Sequence, residues 1–188
     1  MQAFEYLGVL VSVVIGLAMT HLVLGIIRVI HSRKSTVVYW VHLLWVFNVL
    51  YLLLGFWWFF FAWQSLPEWS RAAFYLFIAY ALSLTIAAGL LFPLTGSVSN
   101  FRKFFFEHSR WFFGSMILAN LLDVIEVTAK ASYGIRPVPE IYFPFMAIVF
   151  LGLAIAMFTS NRRIHGAFVI LYFFAGAGYD LVVFSQTA

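Results

Sequence analysis

Five ionisable side chains sit deep inside long apolar stretches of this sequence: His21, His42, Asp123, Glu126 and Asp180. A charge near the centre of a bilayer costs about 2.5–3.5 kcal/mol on insertion scales, so each needs a partner or a polar cavity. Asn120, Asp123, Glu126 and Lys130 recur at three- and four-residue spacing and form one polar stripe along a helix. Tyr172, Gly176 and Asp180 form a second stripe, with Gly176 leaving room beside the carboxylate. Counted from the cytosolic ends of their helices, Asp123, Glu126 and Asp180 lie about 18, 22 and 20 Å deep, the two aspartates at matched height outward of the midplane. Glu5, on the face of Ser12 and Gly16, is expected to join them near the outer surface, giving a polar site between the first, fourth and sixth spans.

Three chemistries use such acids. In a structural ion pair, Lys130 answers Glu126 and Asp123 and locks the bundle. In a proton or small-cation path, acids in an outward-facing cavity lower the barrier for a positive ion. In intramembrane aspartyl proteolysis, two carboxylates share one proton. The last fails on register, because Tyr179 stands where a Gly-x-Gly-Asp motif built on Gly176 and Gly178 would have its aspartate. Conduction or transport of a proton or small cation is the favoured expectation, since clustered acids on an apolar bundle are costly unless used.

His21 and His42 lie about 14 Å and about 8 Å from the cytosolic ends of their helices and could face each other across the first hairpin. Axial ligation of a b-type haem would use such a pair, with Gly25 clearing space for the ring, and an electron-transfer subunit is the alternative function this defines. Hydrogen bonds from each histidine to a neighbouring helix or headgroup explain them more simply, so no cofactor is expected. Asn48 reads as an interhelical hydrogen-bonder. No H-E-x-x-H, G-x-S-x-G, phosphate-binding loop or Rossmann glycine pattern occurs, and no catalytic residue or metal ligand set is assigned. The absence of cysteine removes disulfides, thiolate metal sites and cysteine nucleophiles.

The elements that must carry these residues follow from composition. Of 188 residues, 64% are hydrophobic and 10% charged, and the mean hydropathy is +1.00. A soluble domain of this size cannot bury so much apolar surface. The expected fold is all-α, a single polytopic domain of six transmembrane helices over residues 4–30, 37–63, 72–92, 111–129, 141–159 and 167–186. Eight basic residues, among them Arg33, Lys34, Arg102, Lys103, Arg162 and Arg163, fall on one side of these spans. Arg71, Lys130 and Arg136 fall on the other. The positive-inside rule therefore puts both termini on the non-cytosolic side. The basic clusters are matched to anionic lipid headgroups, and net charge of +4 spread over short loops does not describe a nucleic-acid face.

Trp57, Trp58, Trp63 and Trp69 are expected in an outer aromatic belt, and Trp40 and Trp111 in an inner one. Residues 100–110 are expected to form an amphipathic segment lying in the inner interface. Small residues every fourth position (Gly8, Ser12, Gly16, Thr20; Ala81, Thr85, Gly89; Gly152, Ala156, Ser160) predict close helix packing, within one chain or in a homo-oligomer. With the Phe-rich inner segment they define a third function class, a structural or signalling membrane partner without transport activity.

Glu5-Tyr6 opening the first span, His21, Tyr39-Trp40 to His42, Trp57-Trp58, Trp111-Phe112-Phe113 and Asn161-Arg162-Arg163 together resemble a group of small uncharacterised bacterial multi-span membrane proteins. The resemblance covers most of the chain. It implies the inner membrane of a bacterium as location and carries no activity.

Overall fold

A computed structural model of the chain describes residues 3–66 and 68–185. It is all-helical, with α1 (Ala3–Ser32), α2 (Trp40–Phe61, prolonged by a 3-10 turn at Ala62–Ser65), α3 (Arg71–Leu91), α4 (Phe101–Ser132), α5 (Tyr142–Phe158) and α6 (Arg162–Ser185). Five of the six are long and apolar enough to cross a membrane, and α5 is a shorter apolar helix of 17 residues. These helices mark a multi-pass membrane protein.

Helices α2, α3, α4, α5 and α6 pack in that cyclic order, each against the next and α6 back against α2. Helix α1 lies outside this ring, against α3 and α2. Its buried residues are Leu7, Val11, Ile15, Ala18, Leu22, Gly25 and Val29, in steps of four or three that keep one narrow stripe on the neighbouring helices. The small residues of the same helix do not follow this stripe. Ser12, Gly16 and Thr20 are exposed, and a side chain at Gly16 would meet nothing within 4 Å. Two other glycines do mediate close approach. A Cβ on Gly25 would stand 2.1 Å from the Phe92 ring, and one on Gly152 would stand 2.2 Å from the Phe168 ring.

Helix boundaries depart from the hydropathy pattern where polar caps extend a helix beyond its apolar part. Residues 100–110 are not a separate interfacial segment. Asn100 accepts hydrogen bonds from the backbone amides of Arg102 and Lys103, both at 3.1 Å, and starts α4 ten residues before the apolar stretch. The resulting 32-residue helix is about 48 Å long, enough to cross a hydrocarbon core of about 30 Å and project beyond it. Asn161 caps α6 in the same way, accepting from the Arg163 amide at 3.0 Å, so α6 begins at Arg162 rather than Ala167. The far limit expected for that span, Gln186, lies outside the described residues. The loops preceding α2 and α4 pair through Val37, whose amide donates to the Ser99 carbonyl (2.9 Å) and whose carbonyl accepts from the Phe101 amide (3.0 Å).

Helix α3 ends where Pro93 forces the preceding Phe92 out of the helical region, to φ −136° and ψ 144°. The last carbonyls of α3 are then taken by side chains of the two adjacent helices. His42 bonds the Leu91 carbonyl at 2.6 Å, His21 the Phe92 carbonyl at 3.2 Å, and Arg28 the Pro93 carbonyl at 3.3 Å. The Phe92 ring packs edge-on to both histidines, with centroids 5.1 Å from His42 and 6.4 Å from His21.

Gly25→Ala should therefore lower stability by about 1–3 kcal/mol, the usual cost of overpacking, because Phe92 cannot withdraw without freeing the α3 terminus. Gly16→Ala should leave stability unchanged or slightly raised. Denaturant unfolding of the two variants in the same detergent checks the contrast.

Candidate functional site

The acids of α4 and α6 line one cavity of about 140 Å³ enclosed by the five-helix ring. Helix α4 supplies Asn120, Asp123, Glu126 and Lys130, and α6 supplies Tyr172, Gly176, Tyr179 and Asp180. Both polar stripes thus face inward together. The other walls come from Asn48 and Tyr51 of α2, Tyr80 of α3, Tyr142 of α5, and Arg136 in the α4–α5 connection. Glu5 is not among the lining residues. It is exposed near the start of α1, which the ring leaves outside, so the site lies among α2 to α6 rather than between the first, fourth and sixth spans.

The three carboxylates have different fates. Glu126 is paired in charge: Lys130 Nζ lies 2.7 Å from Glu126 Oε1, and Trp63 Nε1 donates to the same oxygen at 2.6 Å. Lys130 also donates to the Phe59 carbonyl at 3.4 Å and lies 5.7 Å from the Phe59 ring centroid. Trp63 is wholly buried and belongs to this ion pair, not to an interfacial belt.

Asp123 is not the partner of Lys130. Its two oxygens accept from Tyr80 (2.9 Å) and Tyr142 (2.8 Å), one hydroxyl from each adjacent helix. Asp180 accepts a short hydrogen bond from Tyr51 through Oδ2, and its other oxygen has no hydrogen-bond partner among the described residues. Neither aspartate forms an ion pair among those residues.

The floor of the cavity is amide and aromatic. Asn48 is 2% exposed, and its amide nitrogen donates to the Leu44 carbonyl one turn back at 2.9 Å. It bonds its own helix, not a neighbouring one, and its amide oxygen remains an acceptor on the cavity wall. Asn120 does the same, donating to the Met116 carbonyl at 2.7 Å. Beneath them the Trp45 ring contacts Phe112, Phe113, Phe168 and Tyr172 at centroid distances of 5.1–5.8 Å. This aromatic layer closes the cavity toward the ends of the bundle that carry most of the basic residues.

His21 and His42 do not offer a haem slot. Each spends its Nε2 on an α3 carbonyl, and the space beside Gly25 is filled by Phe92. His42, 1% exposed, is enclosed by the rings of Phe92, Phe101, Phe104 and Phe105. His165 repeats the capping role for α5, bonding the Thr159 carbonyl at 2.9 Å. Among the described residues no group of three or more His, Asp or Glu side chains is placed to hold a metal ion.

Arg33, Lys34, Arg162 and Arg163 are exposed, as is Lys103, whose ammonium lies 3.8 Å from Glu107. Arg102 is half-buried beside the start of α2. There the hydroxyl of the buried Tyr39 has no hydrogen-bond partner among the described residues. Burial raises its pKa, and the charges of Arg162 and Arg102 oppose the rise.

The residues that sequence reasoning missed are Tyr51, Tyr80 and Tyr142, which hold the aspartates, and Trp63, which holds Glu126. Tyr51 and Tyr80 sit at the middle of apolar helices, where a hydroxyl has no water to bond. Their depth was the available signal. Compared with protein-family models, curated proteins and solved structures, the chain matches none.

Removing one member of the buried ion pair should destabilise far more than removing both. Lys130→Met strands Glu126 and should cost about 3–5 kcal/mol, while Lys130→Met with Glu126→Gln should recover most of it. Thermal unfolding of the single and double variants measures the difference.

Proposed function

We propose that the cavity is a cation site, and that the protein takes a proton or small cation into the membrane from the non-cytosolic face. The observation that carries this is the state of Asp123 and Asp180: two carboxylates on different walls of one cavity, held by tyrosine hydroxyls and in an ion pair with no basic side chain among the described residues. The hydroxyls of Tyr51, Tyr80 and Tyr142 are spent on these acids, and Lys130 is spent on Glu126. Three carboxylates against Lys130 and Arg136 leave the lining net negative, and the second oxygens of Asp180 and Glu126 and the Asn48 amide oxygen remain as acceptors beside the hydroxyls of Tyr172 and Tyr179. Such a surface attracts positive charge. The aromatic layer around Trp45 makes this an occluded site rather than an open pore, so passage across the membrane requires that layer to move.

The orientation follows from charge. All six helices cross the bilayer in this reading, α5 included, since 17 residues reach the lower limit for a span. The ends bearing Arg33, Lys34, Arg102, Lys103, Arg162 and Arg163 face the cytosol and anionic headgroups of a bacterial inner membrane, and both termini face outward. The end of the cavity that Arg136 lines then faces the outside.

Two measurements test this. Reporter fusions at Ser35 and Ser97 should be active only when the reporter requires the cytosol; activity of a periplasm-dependent reporter at either site overturns the orientation. In proteoliposomes, Asp123→Asn or Asp180→Asn should reduce cation-coupled flux at least tenfold with the unfolding midpoint nearly unchanged. Wild-type protein that moves neither protons, alkali ions nor ammonium ions would end the transport reading.

A further inference from the structure

The dimensions and lining of the cavity narrow the class of cation. A volume of about 140 Å³ matches a guest the size of benzene, about six heavy atoms. An inorganic ion instead requires several oxygens converging at about 2.0–2.6 Å. The acids here do not converge: Asp123 is bound by Tyr80 and Tyr142, Glu126 by Lys130 and Trp63, and Asp180 by Tyr51. No cluster of three acid or histidine ligands forms among the described residues.

Between the polar groups the walls are aromatic. Tyr51, Tyr80, Tyr142, Tyr172 and Tyr179 all line the space, and ring faces attract cations that are too weakly hydrated to prefer water. An anion would meet three carboxylates against two basic side chains, Lys130 and Arg136, one of them already paired with Glu126. A neutral apolar guest would leave the Asp180 oxygen and the Asn48 amide oxygen without donors. Asn48 is 98% buried by its 2% exposure and stands one turn along α2 from Tyr51, which holds Asp180. The unspent acceptors therefore lie on the same side of the cavity, beneath aromatic walls.

We propose that the ligand is a small organic ammonium ion of about six heavy atoms, its N–H groups donating to Asp180 and Asn48 and its carbon part packed against the tyrosine rings. This rests on reading the cavity as a cation site, and it assigns that site a chemical class. Asp123, with both oxygens already occupied, acts on the ligand through its charge.

Gly176 supplies a clean obstruction. It lines the cavity, and a Cβ there would meet nothing within 4 Å, so Gly176→Leu should fold normally while its side chain fills the ligand space.

The test is calorimetric titration of the purified protein in detergent with n-butylammonium chloride at constant ionic strength. Sodium chloride, potassium chloride and n-butanol serve as separate probes. Expected results are saturable butylammonium binding, weakened at least tenfold by Asp180→Asn and by Asn48→Leu and lost in Gly176→Leu, with all variants retaining the wild-type unfolding midpoint. A hundredfold excess of sodium or potassium should not displace it. Sodium or potassium binding that depends on Asp180, without butylammonium binding, overturns the organic class and leaves the cation site standing. Equal binding of butanol and butylammonium overturns the requirement for charge. Binding that survives Gly176→Leu places the ligand elsewhere, and binding of no cation at all removes both the class and the site.

Discussion

Lipid donates and accepts no hydrogen bonds, so every polar group carried into the hydrocarbon must be satisfied by the protein itself. That constraint accounts for the placement of the histidines, tyrosines and acids that hydrogen-bond across this bundle, while the buried indoles of Trp45 and Trp69 have no such partner among the described residues. The carbonyls freed where Pro93 ends α3 take bonds from His42, His21 and Arg28 on two other helices. The end of α5 takes one from His165 at the start of α6. His42 and His165 each stand near the beginning of one helix and close the end of the helix packed beside it. Capping and helix packing become one interaction. The same bonds fix the Nε2 tautomer as the donor, which leaves the Nδ1 atoms of His42 and His165 buried without partners among the described residues.

The aromatic residues then divide the ring into two layers. Toward the basic ends, Trp45, Phe105, Phe112 and Phe113 interlock around His42 and His165. Toward the other end the inward residues are tyrosines and acids, whose hydroxyls and carboxylates cannot interdigitate as apolar side chains do. The cavity is the result. Its position follows from where the α4 and α6 stripes turn inward, and its closure from the aromatic layer below.

Much of this was legible. Six apolar segments gave six helices, and the three-and-four spacing of Asn120, Asp123, Glu126 and Lys130 put them on one face. The spacing of Tyr172, Gly176 and Asp180 did the same on α6. Other features were not legible, for identifiable reasons. Hydropathy cannot detect Asn100 and Asn161, whose caps extend α4 and α6 through charged turns. Small-residue spacing marked Ser12, Gly16 and Thr20, but the stripe that packs is the one through Leu7, Val11 and Leu22, because close approach is decided by the partner surface and not by residue size. Pairing of Lys130 with Glu126 and not Asp123 depends on which neighbouring helix presents a donor. Tyr80 and Tyr142 do so for Asp123, a tertiary fact that no spacing within α4 encodes. Gly25 did mark a place where a flat ring lies against α1; the ring is Phe92.

The contrast between Glu126 and Asp180 separates structure from function within one cavity. A buried ion pair gains little net stability once desolvation is counted, yet losing one partner is severe. Glu126, with a lysine and an indole on one oxygen, has its charge neutralised inside the protein. Asp180 is held by a single hydroxyl from α2, which fixes its position and leaves acceptor capacity unused. An apolar bundle can keep such a group only where something else completes it, either solvent entering from the open end or a positively charged guest. A bundle that needed its acids only for cohesion would pair Asp180 as it pairs Glu126. The incomplete satisfaction of Asp180, beside the unspent amide oxygen of Asn48, is the physical ground for reading this wall of the cavity as a place where a cation binds.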